Sequence, residues 1–144
     1  MVIWNNSFAC GIPKLDKQHR RLFEIMTELD PKTCNATNVH KIFEDLKKYA
    51  QFHFKSEEDL MDLYGIPDIV HTREHLEFSN QILSFADKVY AEDMSVVPGM
   101  SSYLKRWLLK HIMWTDKEMS KRILEIKAAG GDRRQNSDRR VSED

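Results

Sequence analysis

Apolar residues recur along this chain with the period of a helix rather than that of a strand. Leu15, His19, Leu22, Phe23, Met26 and Leu29 fall at steps of three and four, which predicts a first helix from Pro13 to Leu29. Pro13 suits a first turn, and Asp30-Pro31 ends the helix, because a residue before proline disfavours the helical region. The polar linker KTCNATN follows, with Asn38 or Thr37 able to cap the next helix. That second helix has one broad face of Val39, Ile42, Phe43, Leu46, Tyr49, Ala50, His53, Glu57, Leu60 and Met61, and Gly65 stops it. Pro67 stands near the first turn of a third, with Ile69, Val70, His71, His75, Phe78, Ile82, Phe85 and Val89 on one face. After the loop AEDMSVVPG a fourth helix is expected from about Met100 to about Ala128. It turns Leu104, Trp107, Leu108, His111, Ile112, Thr115, Met119, Ile123 and Ile126 inward.

Four amphipathic segments with short connections predict an all-α fold, an antiparallel up-down-up-down four-helix bundle. The opening MVIWNNSFACGI is apolar and aromatic without helical period. It reads as an extended N-terminal arm packed through Trp4, Phe8 and Ile12. From Gly130 to Asp144 the one large apolar residue is Val141 and the charges balance. Such a segment buries too little surface to offset its ordering entropy. The expected division is therefore a bundle over residues 1–128 and a flexible charged tail or linker over 129–144.

Composition narrows the function. The chain has 144 residues, the size of one domain, and 41% are apolar, enough for a single core. Lys plus Arg number 22 against 23 Asp plus Glu, so there is no cationic surplus for nucleic acid. No apolar run approaches the roughly 18 residues of a membrane span, and no basic-then-apolar leader opens the chain. Cys10 and Cys34 are too few for a disulfide framework and read as ordinary thiols. The expectation is a cytoplasmic protein of a reducing compartment that inserts into no membrane.

The six histidines change the picture. The first helix offers His19, the second His53 and Glu57, the third His71 and His75, the fourth His111 and Asp116. Residues four apart lie about 40° apart on one helix face, so His53 with Glu57, and His71 with His75, can reach one point in a bundle core. His111 and Asp116, five apart, are about 140° apart in an α-helix, and Asp116 would have to reach in from a shoulder. A lone histidine on an apolar face is ordinarily a satisfied core residue. Five of them, on four helices, would leave buried imidazoles and carboxylates with few partners unless a metal joins them. Five nitrogens and two carboxylates exceed one tetrahedral zinc. With both carboxylates and a solvent oxygen bridging, they fill about eleven of the twelve positions around two six-coordinate ions, leaving one open. Mixed N/O ligation suits iron, with zinc and manganese as lesser candidates.

At these residues the chain resembles the hemerythrin family, in particular its bacterial single-domain members. GIPKLDKQH is similar to the family's opening segment, HFKSEEDLM to its HFxxEExxM element, HTREH to its HxxxH, and WLLKHIMWTD to its WLxxHIxxxD. The resemblance covers about residues 4–126. Family members are themselves known examples of the up-down-up-down bundle, so on topology the resemblance and the periodicity are not independent. The resemblance implies reversible O2 binding at two iron ions bridged by an oxo or hydroxo group. It places His71, His75 and His111 on one iron, His19 and His53 on the other, and Glu57 and Asp116 between them. The second iron would keep the open position. Trp107, Leu108 and Ile112 match the apolar residues of the family's ligand pocket, where a dry wall disfavours charge separation. Glu58 and Asp59 turn away from the face of Glu57 and are expected to be solvated. His40 fits no ligand position.

Other roles stay open at this level. O2 is the implied ligand of a carrier or store. The linker-like tail allows a sensory input domain with a downstream output domain or signalling partner. A di-iron enzyme acting on peroxide or NO would need a general acid or base that the apolar pocket residues do not offer. A helical interaction module with zinc or no metal is the remaining class.

Overall fold

The computed structural model describes residues 4–130, so the tail expected over 129–144 lies outside the described residues from 131 onward. The arm is not wholly extended: Asn6–Phe8 form a 3-10 turn, capped by the Asn5 side chain, which accepts from the Ser7 N–H. Its anchors are aromatic. Phe8 stacks on Phe23 at 5.2 Å between ring centres, and Trp4 meets both rings edge-on.

Helix α1 spans Pro13–Glu28 and α2 spans Val39–Leu63. Asn38 sits at the cap position of α2, but its side chain accepts from Asn35 N–H instead of capping. Gly65, at φ +68, lets the chain turn back after α2, and Ile66 N–H closes the end on Met61 C=O at 2.8 Å. Helix α3 spans Ile69–Tyr90. Its start is set by Asp68, whose carboxylate accepts from the N–H groups of Val70 and His71. Ile69 and Val70 are exposed, contrary to the inward face read from the sequence. They occupy the first turn, and the inward stripe starts at His71.

The fourth rod begins earlier than expected and is not one α-helix. Helix α4 runs Val97–Lys110, a π-helical turn covers His111–Asp116, and α5 runs Lys117–Ala128. Pro98 stands in the first turn of α4, where its missing N–H costs nothing. Within the rod Trp107, Thr115 and Ile126 are half-buried rather than fully inward. Helix α1 packs on α2, α2 on α3, and α4 closes the bundle against α1 and α3. Among the described residues no helix is long and apolar enough to cross a membrane.

The apolar interior is in two parts. The larger runs from Leu22, Phe23 and Leu46 through Phe78 and Leu104 to Ile112. The smaller gathers Ile12, Leu15, Leu60, Met61, Tyr64, Ile66, Met119 and Ile123. On α2 the larger part ends at Phe54 and the smaller begins at Leu60, with His53 and Glu57 buried at the join. A polar layer thus interrupts a packed core in which each full aliphatic or aromatic side chain contributes about 1.5–3 kcal/mol.

Candidate metal centre

All seven sequence-predicted ligands are buried, none more than 3% exposed. They form two groups that share Glu57. One is Glu57, His71, His75 and His111; the other is His19, His53, Glu57 and Asp116, and within each the ligand atoms lie within 4.8 Å of one another. Glu57 divides its two oxygens between the groups. Oε1 is 2.8 Å from His75 Nε2 and 3.1 Å from His71 Nε2, while Oε2 is 3.0 Å from His53 Nε2 and 3.4 Å from His19 Nε2. Asp116 does the same, with Oδ2 2.9 Å from His19 Nε2 and Oδ1 3.0 Å from His111 Nε2.

The π turn is what makes the second of these possible. In an α-helix His111 and Asp116 would point to different sides. An i→i+5 turn returns the fifth residue to the face of the first. Ahead of the turn Leu104, Leu108 and His111 face inward; behind it Asp116, Met119 and Ile123 do. The turn inserts one residue into the helical register, and exposed Trp114 lies on its outer side.

The donor set fits cations at both groups. Asp116 Oδ1 and Oδ2 and His53 Nε2 are buried and, despite their short contacts, align with no hydrogen-bond partner. His75 Nε2 and His111 Nε2 stand 3.2 Å apart. Each of those rings turns its other nitrogen to a carboxylate: His75 Nδ1–H donates to Glu58 Oε2 and His111 Nδ1–H to Glu74 Oε1, both at 2.8 Å. Both rings, held by those contacts, aim Nε2 at one point, where a shared cation would satisfy both nitrogens. His53 is fixed likewise, its Nδ1–H donating to Gln18 Oε1 at 2.7 Å, while the Gln18 amide donates to Ser56 Oγ at 3.1 Å.

Glu58 is therefore a correction. It is partly exposed, but it orients His75 rather than standing solvated; Asp59 does face solvent, paired with Lys55. Reading angles on α2 alone could not show a carboxylate reaching across to α3. Gln18, Glu74 and Thr115 were also missed. Thr115 donates to the same Glu74 oxygen that holds His111, at 2.8 Å. The one available signal was their position beside, or one turn from, a ligand.

Protons show how much negative charge the layer holds. Burial works against the charged form of His19, His71 and His111, yet Asp116 and Glu57 prevail, and His19 and His71 are pushed up to about 9. Burial opposes charge on Glu57 and Asp116 too, but the surrounding imidazoles hold both carboxyls below their ordinary values. His53 goes the other way, lowered by burial. The layer thus binds positive charge, as protons or as metal ions.

The expected pocket residues lie on the same rod. Trp107 stacks on the His111 ring at 4.4 Å, and Leu108 and Ile112 are buried in the larger apolar cluster. A separate cleft of about 280 Å³ reaches His71 and Glu74 from outside, with Val70, Trp114 and Thr115 in its wall. Cys10, Asp16 and His19 form a third grouping, but the Asp16 carboxylate is engaged by the N–H groups of Cys10 and Gly11, and burial pushes the Cys10 thiol up to about 12. A thiol so held stays protonated at neutral pH without a metal. Cys34 is buried and His40 is exposed against the edge of Tyr90.

Comparison with known proteins agrees with this geometry. Residues 10–123 match the family model described as the hemerythrin HHE cation binding domain. The chain is 33% identical over 126 residues to a bacteriohemerythrin of Clostridium acetobutylicum, covering 82% of this chain and 98% of that protein. It is 28% identical over 127 residues to a bacteriohemerythrin of Stenotrophomonas maltophilia, covering 85% and 82%. It is 29% identical over 115 residues to a myohemerythrin of the leech Theromyzon tessulatum, covering 78% and 86%. No solved structure matches the chain.

Proposed function

The chain belongs to the hemerythrin family, whose members bind O2 at a di-iron centre, and on that premise we propose that it binds O2 reversibly at two irons of its own, as a carrier, store or O2/redox-sensing domain. Family members are mainly O2-binding proteins rather than enzymes. The observation that carries the reading is the splitting of Glu57 and Asp116, each with one oxygen toward either imidazole group. In this reading His71, His75 and His111 would hold one iron, His19 and His53 the other, and Glu57 and Asp116 would be shared; an oxo or hydroxo group would belong to the same centre. Two irons held there would supply the redox chemistry for reversible O2 binding.

The remaining work is the protein's. Glu58, Glu74 and Gln18 hold three ligand rings in the tautomer that aims Nε2 inward, which raises ligand basicity and spares reorganisation on loading. Phe54, stacked on His75 at 4.0 Å, and Trp107, on His111, wall the layer with aromatic faces. Leu108 and Ile112 keep bulk water from that wall and so disfavour escape of charged oxygen species. Glu58 and Glu74 are occupied by ligand imidazoles and are not free general acids, which weighs against turnover of peroxide or NO.

The test is iron per chain together with the visible spectrum, reduced without air, after O2, and after its removal. Two irons and a reversible charge-transfer band are expected. Irreversible conversion to a bridged diferric form would replace reversible binding with redox sensing or an enzyme, and zinc or no metal would overturn the reading.

A further inference from the structure

Helix α3 has a second apolar face that the bundle does not use. Ile69, Leu76, Leu83 and Tyr90 are 75%, 60%, 60% and 43% exposed, and each is seven residues from the next. Thr72, Ser79 and Ala86, half-buried, repeat at the same interval three residues on. Together they make the apolar seam of a coiled coil, with small residues at the alternate positions that let another helix approach. The seam extends about 32 Å along the helix. It is distinct from the inward stripe of His71, His75, Phe78, Ile82 and Val89. Phe52 and Trp114, also exposed, are not on α3 and continue no such repeat.

We infer that α3 docks antiparallel onto α3 of a second copy of this chain, about a two-fold axis near Ser79 and Asn80. In an antiparallel pair about such an axis, residues at equal distances on either side of it meet. Leu76 then meets Leu83 of the other copy and Ile69 meets Tyr90, while Thr72 falls one residue, about 1.5 Å, from facing Ala86. The charges fall close to the same rule. Arg73, Asn80 and Asp87 form the exposed row beside the seam, again seven apart. The axis brings Arg73 within one residue, about 1.5 Å along the helix, of facing Asp87 twice, and leaves neutral Asn80 beside the axis, where a charge would lie close to its own copy. A parallel pair would oppose Arg73 to Arg73 and Asp87 to Asp87, which electrostatics disfavours. Tyr90 is a rigid end anchor, since its hydroxyl donates to Glu44 and accepts from Lys47. The chain's own residues 131–144 offer one large apolar side chain, Val141, and cannot fill four heptad positions.

The test is sedimentation equilibrium of the iron-loaded full chain up to about 0.3 mM. A reversible dimer is expected. Leu76→Asp should weaken it about 100-fold or more, because the substitution enters the interface twice. Arg73→Glu and Asp87→Lys should each weaken it about tenfold, and the double charge exchange should recover the starting constant within about threefold. Phe52→Asp should leave the constant unchanged. All these positions are exposed, so helicity and iron content serve as the check that each variant folds. A monomer at every concentration overturns the inference, as does a dimer that Leu76→Asp and Phe52→Asp affect equally, or a double exchange no tighter than its single variants.

Discussion

The two halves of the polar layer are built differently. On the α3 and α4 side, His75 and His111 each donate an outer N–H to a carboxylate, Glu58 or Glu74, and Thr115 ties Glu74 down. On the α1 and α2 side, His53 donates to a neutral amide, Gln18, and His19 Nδ1 has no hydrogen-bond partner. The first half is charge-supported and aromatic-walled; the second has a neutral brace and fewer contacts behind its rings. A carboxylate behind an imidazole makes it a stronger ligand, so the three-imidazole half should hold its metal more firmly. Under the proposed function the less braced half keeps the open position, where weaker ligation leaves room for a small molecule.

Removing what the halves share should have the largest effect. Glu57→Ala deprives both groups of an oxygen and leaves five imidazoles around the gap. Iron is expected to fall from two per chain toward none, with about 3–5 kcal/mol of stability lost. His111→Ala should cost iron chiefly in one half, and His40→Ala should change neither iron nor melting. Equal iron in all three variants would refute the ligand assignment.

The next effect separates the halves. Glu74→Gln keeps the shape but replaces a carboxylate by an amide, making the three-imidazole half resemble its partner. It should weaken metal binding there by about 10- to 100-fold. Gln18→Leu should do this on the other side and yield a protein that retains one iron more tightly than the second. Stepwise iron titration followed by the visible spectrum reads this directly. If both variants lose both irons together, the halves are one cooperative unit and the contrast has no thermodynamic meaning.

Most of this layer was legible before any coordinates. Pairs four apart on an apolar face can converge, and His53 with Glu57 and His71 with His75 do. The spacing of His111 and Asp116 converges on no single face of an α-helix, whereas the rod takes a π turn there. The turn aims a buried carboxylate at imidazoles from two other helices, a tertiary requirement that local periodicity does not carry. The partners behind the imidazoles were hidden for a related reason. Glu58 sits 100° around α2 from Glu57, and only the neighbouring α3 gives it something to hold. The early start of α4 and the exposure of Ile69 and Val70 are boundary effects of caps and loops that apolar periodicity does not see.

A smaller effect is expected from pH on the protein stripped of metal. His19 and His71 are raised from 6.5 to about 9 by the carboxylates. Their contribution to stability is full below about pH 6.5 and is lost as pH rises through about 9. Glu57 and Asp116 are lowered, so theirs is present above the ordinary carboxylate range and lost as pH falls below it. His53, lowered by burial, opposes the first trend. The metal-free bundle should therefore melt highest in mildly acidic solution and lower toward pH 9, while the metal-loaded protein changes less. Metal uptake at pH 7 should release protons, measurable in weak buffer. A melting temperature that rises steadily from pH 6 to 9 without metal would contradict the charge pattern of the layer.

Under the proposed function, the smallest effect concerns the path of O2 to the less braced half. Ile112 is 1% exposed, follows the ligand His111, and packs with Leu108 in the larger apolar cluster. Ile112→Val removes one methylene from that wall at a cost of about 0.5–1.5 kcal/mol, too little to disturb the ligands. Iron content should stay at two per chain. Autoxidation should quicken a few-fold, because a looser wall admits water to a site whose dryness disfavours charge separation. The cleft beside Trp114 is the competing route, since it approaches the firmly braced half through His71 and Glu74. Trp114→Ala widens that cleft without touching Ile112, and Trp114 is 73% exposed, so little packing is lost. If Ile112→Val quickens autoxidation and Trp114→Ala does not, solvent reaches the centre past the apolar wall. If only Trp114→Ala does, the open position belongs to the three-imidazole half, and the contrast between the halves must be read in reverse.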